Sequence, residues 1–439
     1  MTRNSGADLW RKAKKIIPGG NQLLSKRSEQ FLPDYWPAYY RKAKGAEVRD
    51  LDNNHFFDMS IMGIGACPLG YADPDVDAAV KTRIDNGSMC TLNSPEEVEL
   101  AEKLIHVHPW AEQVRYARCG GEAMTIAVRI ARAHTRKDIV AFCGYHGWHD
   151  WYLAANLADD QNLDGHLLPG LAPAGVPRGL IGSSVPFQYN HTDELETIAG
   201  KHKGNLAAII MEPIRDHEPT PGFLKTVQEI ARDNDAVLIV DEVSSGFRLR
   251  TGGAHALYGL KPDIAVFAKA MSNGYPMAAI IGKEEVMQSA QDTFISSTYW
   301  TEGIGPVAAL ATIEKYEQCN VPDHLIRVGT EVQNGWKKAA ADQAGFQIDV
   351  GGIPPLSHFS IKGEQGPLVQ TLYTQLMLDR GFLAGKSFYA SYAHNDKNIK
   401  DYLEATGEVF GMIAIELEKE NPGQMLRGPV AKPGFYRLT

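Results

Sequence analysis

Four apolar runs in this sequence each end on residues able to do chemistry. Ile264–Ala268 is followed by Lys269, and Ala236–Val240 by Asp241, Glu242 and Val243. Ile139–Cys143 leads into Gly144-Tyr145-His146-Gly147-Trp148, and Val114–Ala117 precedes Cys119-Gly120-Gly121-Glu122-Ala123. A lysine delivered by an apolar strand is desolvated, which lowers its pKa and frees a neutral amine to attack a carbonyl. An aspartate at a strand end can hold a protonated ring nitrogen through a charge-assisted hydrogen bond. Small residues at a strand-to-helix junction let backbone N–H groups converge on an anion, with the helix dipole adding roughly 0.3–1 kcal/mol per favourable charge. Tyr145 offers an aromatic face at the carboxyl end of a strand, where ligands of parallel sheets gather. Each feature alone reads equally well as packing or an ordinary turn. Together, the amine, carboxylate, ring face and anion cradle match what pyridoxal 5′-phosphate requires of a protein.

Two other clusters suggest metals and fit poorly. Asp50-x-Asp52-x-Asn54 opens like a calcium loop, but His55 stands where the sharp turn needs Gly, and Ile61 where a bidentate Glu belongs. It reads as a polar hairpin turn. His146-x-x-His149-Asp150 lacks the helical H-E-x-x-H spacing, and nothing in the sequence points to a third ligand. Read as a metal hydrolase centre, it would carry stoichiometric zinc; we expect no metal.

The elements that position these residues follow from periodicity and turn chemistry. Residues 6–16 form a short basic helix, and Asn53-Asn54 closes a hairpin between residues 46–50 and 55–59. Helices are expected at Asp75–Asn86, at Pro95–Val107 with Ser94 as N-cap, and at Glu122–His134. Leu206–Met211 and Ala236–Val240 have the continuous apolar character of strands buried on both faces, and Met277–Ile281 continues the series. Such alternation indicates a mostly parallel α/β sheet covered on both sides. Beyond residue 315 the texture is α+β: a strand at His358–Ile361 and helices at Leu368–Arg380 and Asn395–Leu417. The expected domains are a large α/β domain over 61–315 and a smaller one over 316–439, joined by the N-terminal segment 1–60.

Composition bounds the setting. Of the 439 residues, 44% are hydrophobic and 22% charged, as in globular proteins, and no apolar run is long enough to span a membrane. A net charge of −9 argues against a general nucleic-acid binder. The N-terminal residues lack an apolar signal core. Five cysteines with no C-x-x-C pair read as reduced thiols, which places the chain in the cytoplasm.

The ordered series Cys119-Gly-Gly-Glu-Ala, Tyr145-His-Gly, Glu212-Pro213, Asp241-Glu-Val, Gly246-Phe-Arg, Lys269 and Gly274-x-Pro276 resembles the class III aminotransferases of fold type I, with glutamate-1-semialdehyde aminomutase as a similar member type. The similarity extends from about Gly45 to the C-terminal helix. It implies a mostly parallel seven-stranded sheet sandwiched by helices, with a smaller α+β domain. It implies that Lys269 forms the Schiff base with pyridoxal phosphate and shuttles the proton, and that Asp241 holds the pyridinium nitrogen. Tyr145 would stack on the ring, Val243 would pack on its other face, and Glu212 would be a structural or cofactor-side acid near the ring hydroxyl. Gly120 and Gly121 would cradle the phosphate, aided by Thr298, or alternatively Thr301, from a neighbouring subunit, which implies a homodimer. Cys119 and Gly121 depart from the family's Ser-Gly-Thr loop, leaving fewer hydroxyls for the phosphate. After Gly19-Gly20, and again after Glu212-Pro213, the sequence lacks the aminomutase's own segments.

The function this implies is an aminotransferase carrying an amino group from an amino acid, glutamate in this reading, to an aldehyde or ketone acceptor. An intramolecular aminomutase is the alternative, and a cofactor-binding protein without turnover a further one, which retention of both Lys269 and Asp241 opposes. Tyr35, Trp36, Trp148 and Trp300 suggest a sugar-like acceptor. Arg27, Arg215, Arg248 and Arg427 are candidates to grip a substrate carboxylate.

Overall fold

The computed structural model describes residues 4–157, 173–343, 345–361, 363, 365–432 and 434. The chain forms two compact units, one of residues 74–322 and the other of residues 1–73 with 323–439.

The second of these begins with helix α1 (Ser5–Ile16) and a meander of β1 (Tyr40–Lys44), β2 (Glu47–Asp50) and β3 (His55–Asp58). The β2–β3 turn is closed by Asp50, whose Oδ1 accepts from the Asp52 and Asn54 N–H groups at 2.9 and 2.8 Å. The Asp50 carboxylate is thus spent on the turn, whereas that of Asp52 accepts from the Ser5 N–H at 2.7 Å.

Residues 74–322 carry the sheet that matters for function. In chain order they form α2 (Pro74–Asp85), α3 (Glu96–Val107), β4 (Gln113–Ala117), α4 (Gly120–Thr135), β5 (Ile139–Cys143) and α5 (Asp150–Leu153). There follow β6 (Ser184–Pro186), α6 (Thr192–Lys201), β7 (Leu206–Met211), α7 (Phe223–Asp233) and β8 (Val237–Asp241). The unit closes with β9 (Ile264–Phe267), β10 (Ala278–Gly282), α8 (Glu284–Met287) and α9 (Ile304–Cys319). The expected Ser94 cap is not formed: α3 starts at Glu96, and the Ser94 hydroxyl is spent on the Glu96 carboxylate.

The sheet has seven strands in the order β4-β10-β9-β8-β7-β5-β6. Neighbours from β9 through β6 pair in parallel, whereas β10 runs against both β9 and β4. The reason is chain length: ten residues separate β9 from β10, too few for a parallel crossover. Alternate residues of the central strands feed two cores. Val140, Phe142, Ala208, Ile210, Val237 and Ile239 face one layer with α4, while Ala141, Cys143, Ile209, Met211, Leu238 and Val240 face the other with α6 and α7. Burial on both faces is why these strands are apolar throughout.

The remaining elements are α10 (Val321–Ala341), β11 (Ile348–Gly351), β12 (Leu356–Ile361), α11 (Gly366–Asp379), β13 (Phe382–Leu383), β14 (Ser387–Tyr389) and α12 (Asp396–Leu417). Strands β11, β12 and β14 form an antiparallel sheet, and β13 adds in parallel to β3. Asn395 caps α12 by accepting from the Asn398 N–H at 2.9 Å.

Candidate active site

Four adjacent parallel strands, β9, β8, β7 and β5, end on the same edge of the large sheet, and each end carries a polar group. After β9 the backbone turns sharply: Lys269 has φ +45°, a left-handed conformation that costs an ordinary residue roughly 1–2 kcal/mol. Its Nζ donates to the Ser244 hydroxyl at 3.0 Å. Burial, assisted by the nearby charges of Arg215 and Arg248, pulls the amine down to about 8, against the opposing pull of Glu212 and Asp241. A substantial neutral fraction is therefore present near physiological pH.

Asp241 is the last residue of β8 and is buried. Its Oδ1 accepts from the Val243 N–H at 2.9 Å, and its Oδ2 lies 2.7 Å from His146 Nδ1. The other nitrogen of His146 lies 2.9 Å from the Cys143 carbonyl oxygen. Each ring nitrogen thus faces an oxygen, and the ring is held between the Cys143 carbonyl and the Asp241 carboxyl group. Phe142, Trp151 and Tyr152 pack around it, with ring centroids 6.1, 6.5 and 5.9 Å away. The sequence presents His146 as a poorly fitting metal ligand and as part of the Tyr145-His-Gly motif, and neither reading pairs it with Asp241. Its partner lies 95 residues away on a strand two places across the sheet, and no local pattern signals that pairing.

Glu242 anchors the turn that follows. Its Oε1 accepts from both the N–H and the Nδ1 of His255 at 2.8 Å, and its Oε2 from the Ser245 hydroxyl at 2.6 Å. Trp110 Nε1 donates to His255 Nε2 at 3.0 Å, which leaves the proton on Nδ1. Burial pushes the Glu242 carboxyl up, but these bonds more than offset it and hold it below the usual range. Glu212, directly after β7, behaves oppositely: burial raises it, against the pull of Arg215, whose Nη1 is 3.4 Å from Oε2.

Gly120 and Gly121 open α4. The Glu122 carboxylate accepts from the Arg118 and Cys119 N–H groups at 3.0 Å each, and Cys119 in turn caps the Glu122 N–H. Among the described residues, the Gly120 and Gly121 N–H groups have no partner, as expected for the first positions of a helix. Both positions are tight for a side chain. A Cβ on Gly120 would lie 2.9 Å from Val243 Cγ1, and one on Gly121 would lie 3.2 Å from His149 Cε1 and Nδ1. Val243 is thereby held beside the cradle. Tyr145 is 41% exposed, with its ring edge-on to Tyr152 at 5.7 Å.

Thr298 and Thr301 are exposed on one helical turn, where the Thr301 hydroxyl donates to the Thr298 carbonyl at 2.9 Å. Arg118, next to the cradle, ties down this turn: its Nη2 donates to the Trp300 and Glu302 carbonyls at 3.1 and 2.9 Å, and Nε pairs with the Glu302 carboxylate at 2.8 Å.

The four candidate arginines separate. Arg248 is buried with its Nε on the Ser244 carbonyl at 2.6 Å, whereas the Arg215 side chain is 40% exposed beside Glu212. Arg27 and Arg427 belong to the other unit, where Arg427 pairs with Asp379 at 2.8 Å and lies over Tyr35. Of the suggested acceptor aromatics, Trp36 stacks on Phe31, Trp148 on His149, and Trp300 packs on the sheet core.

The donor set within residues 74–322 fits a phosphorylated pyridine aldehyde: a low-pKa amine, an aspartate with free lone pairs, an aromatic face and two open helix N–H groups. The class-III aminotransferase family model matches residues 32–353. The 3-aminobutyryl-CoA aminotransferase of Cloacimonas acidaminovorans (strain Evry) is 33% identical over 413 residues, covering 91% of this chain and 95% of that protein. A glutamate-1-semialdehyde 2,1-aminomutase of Francisella tularensis subsp. holarctica is 32% identical, covering 89% and 95%. Among solved structures, the FumI protein of Sphingopyxis sp. MTA144, in its PLP internal aldimine form, superposes with a TM-score of 0.84 at 23% identity, covering 96% of this chain and 99% of that one. An omega-transaminase from Sphaerobacter thermophilus gives 0.81 at 25% identity, covering 92% and 97%.

Proposed function

The chain belongs to the class-III aminotransferases and binds pyridoxal phosphate, and from that premise we propose that it transfers an amino group from an amino-acid donor, glutamate, to a separate aldehyde or ketone acceptor. The observation that carries the site assignment is the pair of adjacent strand ends, β9 delivering Lys269 and β8 delivering Asp241. When bound, the cofactor supplies a carbonyl that exchanges amines and a ring that takes up an electron pair. The protein supplies the rest. Lys269 holds the cofactor and then moves a proton at the substrate carbon, a task suited to an amine with a pKa of about 8. Asp241, held by His146, would accept from the ring nitrogen. Tyr145 and Val243 would bound the two faces of the ring, with Glu212 toward the ring hydroxyl. Gly120 and Gly121 donate to the phosphate, with Thr298 of a second copy completing the cradle in a homodimer.

Arg215 is the arginine we assign to a substrate carboxylate, because its guanidinium is half exposed and its charge acts directly on Lys269. The loop after Glu212 also supports transfer between two molecules: Arg215 and Asp216 stand where the aminomutase-type loop is small and glycine-containing. Five free cysteines support a cytoplasmic setting.

The half-reaction tests this reading. Glutamate alone should convert the bound cofactor to its amine form, seen as loss of the visible absorbance band with release of 2-oxoglutarate. An aminomutase would interconvert a single substrate and leave glutamate untouched.

A further inference from the structure

The amine of Lys269 is held by the hydroxyl of Ser244, 3.0 Å from Nζ. A hydroxyl both accepts and donates, so it can receive a hydrogen bond from an ammonium and give one to a neutral amine without moving. A carboxylate or a carbonyl could hold only the charged form. Ser244 therefore suits an amine that alternates between the two forms, as a proton carrier does. The turn after β8 fixes the hydroxyl in place. Asp241 Oδ1 accepts from the Val243 N–H at 2.9 Å, the Ser245 hydroxyl donates to Glu242 at 2.6 Å, and the Gly246 N–H donates to the Glu242 carbonyl at 2.8 Å. A Cβ on Gly246 would lie 2.6 Å from that carbonyl oxygen, so the turn closes tightly. The Ser244 carbonyl itself accepts from Arg248 Nε at 2.6 Å, and Arg248 is buried. On the other side of the contact, Lys269 sits in its left-handed conformation ahead of the buried residues Ala270, Met271 and Ser272. Both partners stand on tightly bonded backbone, so holding the amine costs little further entropy.

We propose that Ser244 is the positioning residue for the Lys269 amine, receiving it whenever it is not bonded to the cofactor and keeping Nζ at one point through both protonation states, and that Arg248 serves this contact by fixing the Ser244 backbone. This rests on Lys269 being the amine that bonds the cofactor, as proposed above. The proton taken from the substrate carbon goes to Nζ, its electron pair stays with the carbon and the cofactor, and Nζ later returns the proton. The hydroxyl keeps its own proton throughout and only changes from donor to acceptor. Burial, then Arg215 and Arg248, favour the neutral amine, whereas Glu212 and Asp241 favour the ammonium. Ser244 adds a hydrogen bond that is stronger to the ammonium, because it is then charge-assisted.

The test reads the amine directly in the cofactor-free full-length chain. Acetylation of Lys269 by acetic anhydride, followed across pH by mass spectrometry, has its midpoint at the pKa of the amine whether or not the chain binds pyridoxal phosphate. Losing a bond that is stronger to the ammonium should lower that midpoint by about half to one pH unit in Ser244→Ala, while Ser244→Thr, which keeps the hydroxyl, should stay within about 0.2 of wild type. An unchanged midpoint in Ser244→Ala, or an equal shift in Ser244→Thr, overturns the proposal. Should Ser244→Ala fail to fold, Ser244→Cys carries the same expectation, because a thiol is a far weaker hydrogen-bonding partner. Once the cofactor is bound, a misplaced amine should lower the limiting rate of the half-reaction ~10-fold in Ser244→Ala, with less than about a twofold change in the donor concentration at half-saturation; an unchanged limiting rate overturns the proposal. Lys269→Ala separates this from the underlying reading. If that variant still forms the visible absorbance band with pyridoxal phosphate, Lys269 is not the amine that bonds the cofactor; if the band is lost while Ser244→Ala leaves the midpoint in place, only the role of Ser244 falls.

Discussion

Replacing His146 with leucine isolates the interaction on which Asp241 depends. The wild-type ring has no side-chain exposure, and its two nitrogens face a buried carboxylate and a carbonyl. Leucine fills much of the space between Phe142, Trp151 and Tyr152 but donates nothing. Asp241 then keeps the Val243 N–H as a partner and loses its counter-charge. Removing one member of a buried ion pair costs about 3–5 kcal/mol, mainly the penalty of the stranded charge. For a unit of this size a kcal/mol corresponds to about 2–4 °C in melting temperature, so the cofactor-free chain should melt ~6–20 °C lower at pH 7. The sign of the second step is more diagnostic than its size. Adding Asp241→Asn removes the stranded carboxylate, so the double variant should melt above His146→Leu, although Asp241→Asn alone destabilises a chain that retains the His146 ring. Thermal unfolding followed by circular dichroism measures all three. A His146→Leu chain melting within about 2 °C of wild type, or a double variant less stable than both singles, would refute a stabilising His146–Asp241 pair.

Two further outcomes follow from the same geometry. Lys269 titrates near 8 when folded against an ordinary 10.5, so between those values the unfolded chain binds more protons and stability should rise with pH; urea unfolding of the cofactor-free chain against Lys269→Met should diverge across pH 8–10.5, and parallel curves would remove the depressed amine. Gly120→Ala sets a methyl 2.9 Å from Val243 Cγ1, an overpacking that should cost about 1–3 kcal/mol in denaturant titrations and be relieved in the Gly120→Ala/Val243→Ala double variant; no relief would mean that the contact is not what excludes a side chain there.

The local grammar of this chain was readable before folding. The runs at 139–143 and 206–211 became strands with those bounds, because burial on both faces leaves no polar position to blur them. Lys269 and Asp241 were visible as polar residues ending such runs, and the Asn53-Asn54 hairpin as turn chemistry. Misreadings arose where a competing contact intervened. Ser94 has the right type for an N-cap, yet its hydroxyl went to Glu96, and the strand at 278–282 has the composition of its parallel neighbours, yet its short connection reverses it.

Sequence alone determined which chemistries were present and at which strand ends, since apolar runs and their terminating residues are local properties. Tertiary structure decided which of those groups meet. The order β9-β8-β7-β5 sets Lys269, Asp241, Glu212 and Tyr145 on one edge, although they are scattered over 125 residues of chain. The pairing of His146 with Asp241, the Glu242–His255–Trp110 anchor and the approach of His149 to Gly121 all depend on contacts between elements remote in sequence. Periodicity and turn rules carry no information about such contacts, because they are fixed by how the strands are ordered and how closely backbone can approach side chain once the sheet is assembled.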